Sequence, residues 1–523
     1  MDTEILDVIR KKGLLIERDV FDLLESFHDK ASAKSFLENL ERVSGQKMIT
    51  RNVLSKNVEY IRSFVGNLED DSRKVVEKVI VNLGISLEVR REKEVVKEST
   101  ESGKKYKIEL AETANDKKLE VRDFVGHFRA RFQQLQRILM SRPELQKNLV
   151  SINKIGGERS MVGIIGIVSE KRITKNKNLM LKFEDMTGEI KGLVKFDREE
   201  IFAKAEELQL DDIVGVKASG NRDILFVHDI FYPDAFLHEK TKFREDVNIA
   251  FISDIHCGSK KHLGESFEKF LEWLNSEHED ALKIRYLFIV GDTIDGVGIF
   301  PGQENVLELG SMGEQYAQLA GYLKRVPRRI TMFLCPGQHD ASRVAEPQPI
   351  VSKKYAHALY ELDNLVLVTN PCFVRLLEDD KEFKVLMYHG GSIHTFINEI
   401  RELREMKAHN CPAKAIKHML KRRHLAPMYG LSNQIIYVPN SGGDDLVIRE
   451  VPDVVCTGEV HRLDVDKYNG VLMLTGSCWQ GQTDFEEKIG NIPDPCKVPV
   501  LNLKSSELKI FDFGIGEEFV KNG

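Results

Sequence analysis

Asp254 and His256 stand two residues apart, just beyond the apolar run Ile249–Ile252. Four further apolar runs end in residues of the same kind. Tyr286–Val290 leads into Gly291-Asp292-Thr293-Ile294-Asp295, and Thr331–Cys335 into Pro336-Gly337-Gln338-His339-Asp340. Val385–Tyr388 leads into His389-Gly390-Gly391, and Val454–Thr457 into Gly458-Glu459-Val460-His461. Carboxylates, imidazoles and a carboxamide oxygen are the donors that hard and borderline divalent cations take. Two such cations about 3.5–4 Å apart activate a hydroxide and clamp a phosphoryl group, which is what phosphodiester hydrolysis needs. Asp254, His256, Asp292, Gln338, His389, Glu459 and His461 are therefore the candidate ligands. A lone Asp-x-His is a weak signal, and a single histidine is ordinarily structural. Five such stretches in order, each after an apolar run, make a metal site the leading reading.

Short β-branched and apolar runs of this length read as buried strands. Open α/β sheets gather ligands at the ends of their strands. Helical patterns alternate with the runs, as at Glu265–Glu277 and Met312–Arg325, so an α/β core is expected over 241–523. Alternation along a strand would place Asp254 and His256 on one side, and likewise Glu459 and His461.

The rest of the chain must supply the frame. Its 523 residues suggest about three domains. Apolar residues at 42% and charged residues at 30% describe a globular protein, and the net charge of −6 confines any nucleic-acid surface to a local patch. No apolar run approaches the ~20 residues of a membrane span, and the start MDTEILDVIRKK lacks a signal-peptide core. Seven scattered cysteines without a Cys-x-x-Cys pair read as reduced thiols. They give neither a disulfide framework nor a zinc ribbon. A cytoplasmic protein with no membrane partner is expected.

In chain order, apolar residues at helical spacing (Val20, Leu23, Leu24, Phe27, then Phe36, Leu37, Leu40) predict a helical module over 1–87. Residues 88–118 are charged and predict a flexible linker. Residues 119–240 open with an amphipathic helix whose apolar face holds Phe124, Phe128, Phe132, Leu135 and Leu139. Arg129, Arg131, Arg137 and Arg142 mark its other face, which reads as solvated or as lying near DNA. Five predicted strands follow, Met161–Ser169, Leu179–Phe183, Glu189–Phe196, Ile213–Ser219 and Ile224–Tyr232. A helical stretch after the third gives the strand order of an OB-fold β-barrel. Few aromatics stand where bases could stack, so subunit contact and DNA binding both remain open for it. Between the last two motif stretches lies a basic run, Arg401–His424, in which Lys421, Arg422 and Arg423 could track a phosphate backbone.

The motif set resembles the calcineurin-like metallophosphoesterases, with their D-x-H, G-D-x-x-D/E, G-N-H-D/E, H-G and G-H-x-H signatures. The order of helical module, charged linker, OB-fold and phosphoesterase resembles the small-subunit family of the archaeal family D DNA polymerases, over nearly the whole chain. TGEVHRLDV, PGQHDASR and VPDVV carry that likeness most closely. The resemblance implies a multidomain α+β chain ending in an α/β/β/α phosphoesterase domain. It implies a large catalytic polymerase subunit as partner, DNA with single-stranded or frayed primer 3′ ends as substrate, and contacts with the sliding clamp and primase. The implied activity is 3′→5′ exonucleolytic proofreading with two divalent cations, manganese ahead of magnesium, iron or zinc.

Carried onto this sequence, Asp254, His256, His461 and the bridging Asp292 would hold the first cation. Asp292, Gln338, His389 and Glu459 would hold the second. His339 would serve the transition state, held by Asp340, with Asp295 behind the ligands. Gln338 stands where the family has Asn, and Glu459 where it has His. Both departures fall on the second cation, which is expected to be weakly held or absent. A non-catalytic accessory subunit is the alternative reading, and a phosphoprotein phosphatase a less favoured one. Retention of Asp254, His256, Asp292, His339, His389 and His461 favours the enzyme, since buried charges are costly without a role.

Overall fold

Apolar side chains alternating with polar ones, punctuated by short turns, build most of this chain into sheets. The computed structural model describes residues 105–113, 118–430, 438–440, 443–489 and 491–514. Before residue 105 it describes residues 9, 12–25, 27, 30–44, 47–50, 53, 54, 57, 60, 61, 64 and 76. The chain divides into two compact units, 1–94 and 95–523. The first holds helices Arg18–Glu25 and Lys30–Ser44 and a parallel pair, β1 (Leu15–Ile16) and β2 (Met48–Ile49). Val20, Leu23, Leu24, Phe36, Leu37 and Leu40 form its core, at the helical spacing expected of them. The helical pattern expected at Ser72–Leu83 lies outside the described residues, Val76 excepted, as do 88–104 and 114–117 of the expected linker.

Part of that linker is instead a strand, β3 (Tyr106–Leu110). Tyr106 and Ile108 are buried, and Lys107 and Glu109 point away from the core to pair with Glu382 and Arg375. The charges that suggested disorder are one face of a two-residue alternation.

Helix Val121–Met140 buries Phe132, Leu135 and Leu139, as its pattern predicts. It also buries Arg131, which the pattern had placed on the polar face. Its guanidinium donates to Asp444 Oδ2 at 2.5 Å and to the Pro427 carbonyl at 2.9 Å. His424 donates from Nε2 to the same carboxylate at 2.9 Å, while its Nδ1 accepts from the Ala426 N–H at 3.0 Å. A second ring proton would face that N–H. Burial, with Arg131 beside it, lowers the His424 imidazole from its ordinary 6.5 to about 4. An unfolded imidazole takes up its proton below 6.5, the folded one only near 4, so stability falls as pH drops through this window. The difference corresponds to about 3 kcal/mol. His424→Asn keeps a donor and an acceptor but cannot titrate. Its unfolding free energy should lose about 3 kcal/mol less than the parent's between pH 6.5 and 4; equal losses would remove His424 from the explanation.

The five expected barrel strands are all present. β4 (Ser160–Ile173), β5 (Leu179–Asp185), β6 (Gly188–Val194), β7 (Ile213–Asn221) and β8 (Ile224–Phe231) close in the order β4-β5-β6-β8-β7. Helix Glu199–Glu206 links β6 to β7. The parallel β6–β8 contact closes the barrel, and Ile164, Leu181, Phe183 and Val216 fill it.

The remaining chain forms two six-stranded sheets. One contains β9 (Asn248–Ile252), β10 (Ile284–Val290), β11 (Thr331–Cys335) and β12 (Leu365–Leu367), with β18 (Lys497–Asn502) and β19 (Leu508–Asp512) on its other side. Its order is β12-β11-β10-β9-β18-β19. The other contains β13 (Cys372–Glu378), β14 (Lys381–Met387), β15 (Val454–Thr457), β16 (Asp464–Tyr468) and β17 (Val471–Thr475). Its order is β16-β17-β15-β14-β13-β3. Phe251, Phe288, Phe333, Val385, Val454 and Leu474 pack between the sheets. Helices Gly264–Leu274 and Met312–Leu323 cover the outer face of the first sheet. Helices Ile393–Glu399 and Ala413–Arg422 cover that of the second. The central strands are apolar throughout because both faces are buried.

The basic run does not offer its predicted trio to a phosphate backbone. Arg422 is 3% exposed and donates to Asp212 Oδ1 at 2.8 Å. Lys421 meets Glu207 at 2.6 Å, and Arg423 donates to the Ile448 and Arg449 carbonyls. These residues join the barrel to the second sheet's helices. Guanidiniums buried this way need such partners. Among the described residues no helix is long and apolar enough to cross a membrane.

Candidate metal centre

Parallel strands β9, β10 and β11 release their chains at one edge of the first sheet, and parallel β14 and β15 do so in the second. The five motif stretches follow these ends and converge. The turns after β9 and β10 are tied together, with the Asp254 N–H donating to the Gly291 carbonyl and the His256 N–H to the Asp292 carbonyl, both at 3.0 Å.

Strand alternation is not what aligns Asp254 with His256. β9 ends at Ile252, and both residues have left-handed backbone at φ 51°. Asp292 (46°), Glu459 (74°) and His461 (57°) share that conformation. It costs a non-glycine residue about 1–2 kcal/mol. Such strain collects where a fold is committed to function. Space is also reserved around the ligands. A Cβ on Gly337 would lie 2.2 Å from Asp292 Oδ1, and one on Gly291 2.2 Å from His389 Nδ1.

Asp254, His256 and His461 bring ligand atoms within 4.8 Å of one another, and so do Asp254, Asp292 and His389. The Nε2 atoms of His256 and His461 face each other at 3.1 Å. His461 Nε2 lies 3.6 Å from Asp254 Oδ1. His389 Nε2 stands 3.3 Å from Asp292 Oδ2 and 3.1 Å from Glu459 Oε2. Asp254 Oδ2 and His389 Nε2 are buried without a hydrogen bond. Such orphans belong where an ion is coordinated. Oxygen and imidazole donors converging in this way fit a pair of divalent cations.

The electrostatics follow from burial and crowding. Burial alone would raise the Asp292 carboxyl, but His389 and His339 hold it well below the usual range. Burial would lower the His389 imidazole, and Asp292 with Glu459 outweighs it, leaving the ring well above 6.5. His461 is held at about 9, where Glu486 and Asp254 overcome its burial. Burial raises Asp254.

The supporting residues divide differently from expectation. His339 donates Nδ1–H to the Asp295 carbonyl at 2.7 Å, and its N–H donates to Asp292 Oδ1 at 2.9 Å. Its Nε2 is left facing Asp292 Oδ2 at 3.9 Å. Asp340 does not hold this ring. It accepts from Thr293 N–H and hydroxyl, Tyr316 hydroxyl and Gly337 N–H, and so shapes the two turns. Asp295 does stand behind a ligand, its carboxylate 3.1 Å from His256 Nδ1. Gln338 is half-buried, and no hydrogen bond ties its side chain among the described residues.

Sequence reasoning missed Glu486 and His394. Glu486 Oε1 lies 3.0 Å from His461 Nδ1 and orients that ring. Its sequence signal was hidden, because Thr483-x-x-Glu486 also makes the reciprocal cap of helix Asp484–Ile489. His394 Nε2 approaches Glu459 Oε1 at 3.7 Å.

Residues 249–463 match the B-subunit family of DNA polymerases alpha and epsilon. The DNA polymerase II small subunit of Pyrococcus furiosus is 39% identical over 405 residues, 75% of this chain and 64% of that protein. The protein of the same name from Methanothermobacter thermautotrophicus is 36% identical, over 75% of this chain and 80% of its own length. That of Thermoplasma acidophilum is 33% identical, over 78% and 81%. The chain thus spans under two thirds of the Pyrococcus relative and about four fifths of the other two.

Proposed function

The chain belongs to the family of DNA polymerase II small subunits, and from that membership we propose that it is a polymerase's proofreading subunit. In this reading it removes nucleotides from DNA 3′ ends by metal-dependent phosphodiester hydrolysis, and a separate large subunit performs synthesis. The C-terminal sheets are read as a calcineurin-like domain and the five-strand barrel as an OB-fold. The observation that carries the proposal is the convergence of Asp254, His256, Asp292, His389 and His461, each with a strained backbone or an orphaned polar atom.

Asp254, His256, His461 and Asp292 would hold one cation, and Asp292, His389, Glu459 and Gln338 the other. Manganese suits this mix of oxygen and imidazole donors. When bound, the cations supply a hydroxide at neutral pH and neutralise the phosphoryl oxygens. The protein's own part is positional. Asp292 lies between the two ligand groups, with an oxygen toward His389. Glu486 and Asp295 fix the outer nitrogens of His461 and His256, so the inner nitrogens face inward. His339, anchored through Nδ1, presents Nε2 to the reacting phosphate or the leaving 3′ oxygen.

A weakened enzyme or accessory scaffold is favoured by one observation. Glu459 occupies His389 Nε2 with a carboxylate oxygen at 3.1 Å, the contact a second cation would take. The test is degradation of single-stranded and mismatched primer ends in manganese, with and without the large subunit. Metal-dependent release of nucleotides from the 3′ end, enhanced in the complex, is expected. Intact substrate in both states would leave the scaffold reading.

A further inference from the structure

We propose that the barrel carries a second, non-catalytic binding site, for single-stranded nucleic acid, built from Arg159, Lys195, Arg198, Phe196 and Phe226. These residues, Phe196 aside, line a cleft of about 240 Å³ together with His228. Arg159 precedes β4, Lys195 follows β6, Arg198 caps helix Glu199–Glu206, and Phe226 and His228 lie on β8. Barrel closure through β6 and β8 is what brings them together.

Three features point to a ligand. First, Arg159, Lys195 and Arg198 make no ion pair among the described residues, although Asp197 and Glu199 flank Arg198 in sequence. A merely solvated surface pairs such charges with neighbouring carboxylates. Here the field stays positive, and it acts with burial to push the His228 imidazole down. Second, the cations are interleaved with rings. The Arg159 guanidinium lies 5.3 Å from the Phe226 ring centre. Phe196, beside Lys195, is 53% exposed, with Lys177 Nζ 5.9 Å from its ring. Third, the polar wall is set. His228 Nε2 lies 2.8 Å from Ser219 Oγ, which also faces Arg159 Nη2 at 3.5 Å.

Cations around stacking planes suit a strand that presents a phosphate and a base in turn. A guanidinium on an aromatic ring offers a base a flat face, and lysine offers the phosphate a point charge. An acidic protein segment would use the charge and leave the rings without a role. The sequence pattern showed few aromatics for stacking, because Phe196 and Phe226 are thirty positions apart and meet the cations only in the closed barrel.

The inference rests on the DNA substrate proposed above only in its choice of strand. The full chain is titrated with fluorescent oligothymidylate in excess chelator, so that strand binding is read without cleavage. Failure of the exonuclease reading would then leave this binding in place. Replacing Arg159, Lys195 and Arg198 together by Gln touches exposed side chains only. It should weaken binding at least tenfold and flatten the log–log salt slope by about 2, at ~0.7 per lost phosphate contact. Photo-cross-linking the unaltered chain to a 5-iodouracil strand should label a peptide containing Phe226 or Phe196. Unchanged affinity and slope in the triple variant overturn the site. So does polyglutamate competing as well as oligothymidylate, which would assign the cleft to an acidic protein segment.

Discussion

Asp292→Asn is expected to lower metal-dependent cleavage by at least about a thousandfold, or about 4 kcal/mol of barrier. The substitution keeps the side chain's size and one acceptor oxygen for the His339 N–H, 2.9 Å away. It removes the charge that faces His389 at 3.3 Å and His339 at 3.9 Å. Asp292 is the one candidate ligand shared by both proposed cations, so its loss should reduce the bound metals as well as the rate. Metal content by mass spectrometry and single-turnover cleavage are measured on the same sample, with thermal unfolding as a check of the fold. Three histidines around a neutral amide should also lower the imidazole basicity of His389, since Asp292 leads the forces that hold it up. Cleavage at the parent rate in this variant, or in parent chain with excess chelator, would sink the metal assignment.

The sequence exposed the centre because each ligand stretch follows an apolar run that must be a buried strand. Ile249–Ile252 and Tyr286–Val290 could hardly be placed elsewhere, and their ends had to share one edge. It did not expose why Asp254 and His256 point together, because a left-handed turn leaves little mark in residue type outside glycine and asparagine. Glu486 was hidden by doing two jobs, since a helix cap accounts for it fully on local grounds. Lys421 and Arg422 were misassigned for a different reason. Their partners Glu207 and Asp212 are more than two hundred positions away, and charge runs carry no record of long-range pairs. Tyr106–Leu110 shows the reverse error. A short alternation inside a charged stretch is easily read as solvated chain, yet its edge-strand partner β13 makes it ordered.

The double change Gln338→Asn with Glu459→His should raise turnover at least tenfold, about 1.4 kcal/mol of barrier. As the chain stands, the Glu459 carboxylate lies 3.1 Å from His389 Nε2, and His389 with its neighbours keeps that carboxyl below its usual range despite burial. A cation entering here must break this ion pair before it gains either ligand. The first position shows the contrasting geometry, where His256 and His461 present two imidazole nitrogens 3.1 Å apart. Histidine at 459 would give His389 the same kind of neighbour and make the site less negative by one. It would thereby ease the approach of a phosphate and lower the pKa of bound water. Asparagine at 338 draws the carboxamide oxygen back by one methylene, a larger displacement than catalytic geometry tolerates. His394, 3.7 Å from Glu459, would lose its carboxylate partner but remain half-exposed to water. Each single change should recover less than its share, because both ligands serve one ion. Single-turnover cleavage at saturating manganese, beside a count of bound metals, decides the matter. If the parent chain already binds two metals and cleaves as fast as the double variant, the second position is intact and Glu459 is a competent ligand.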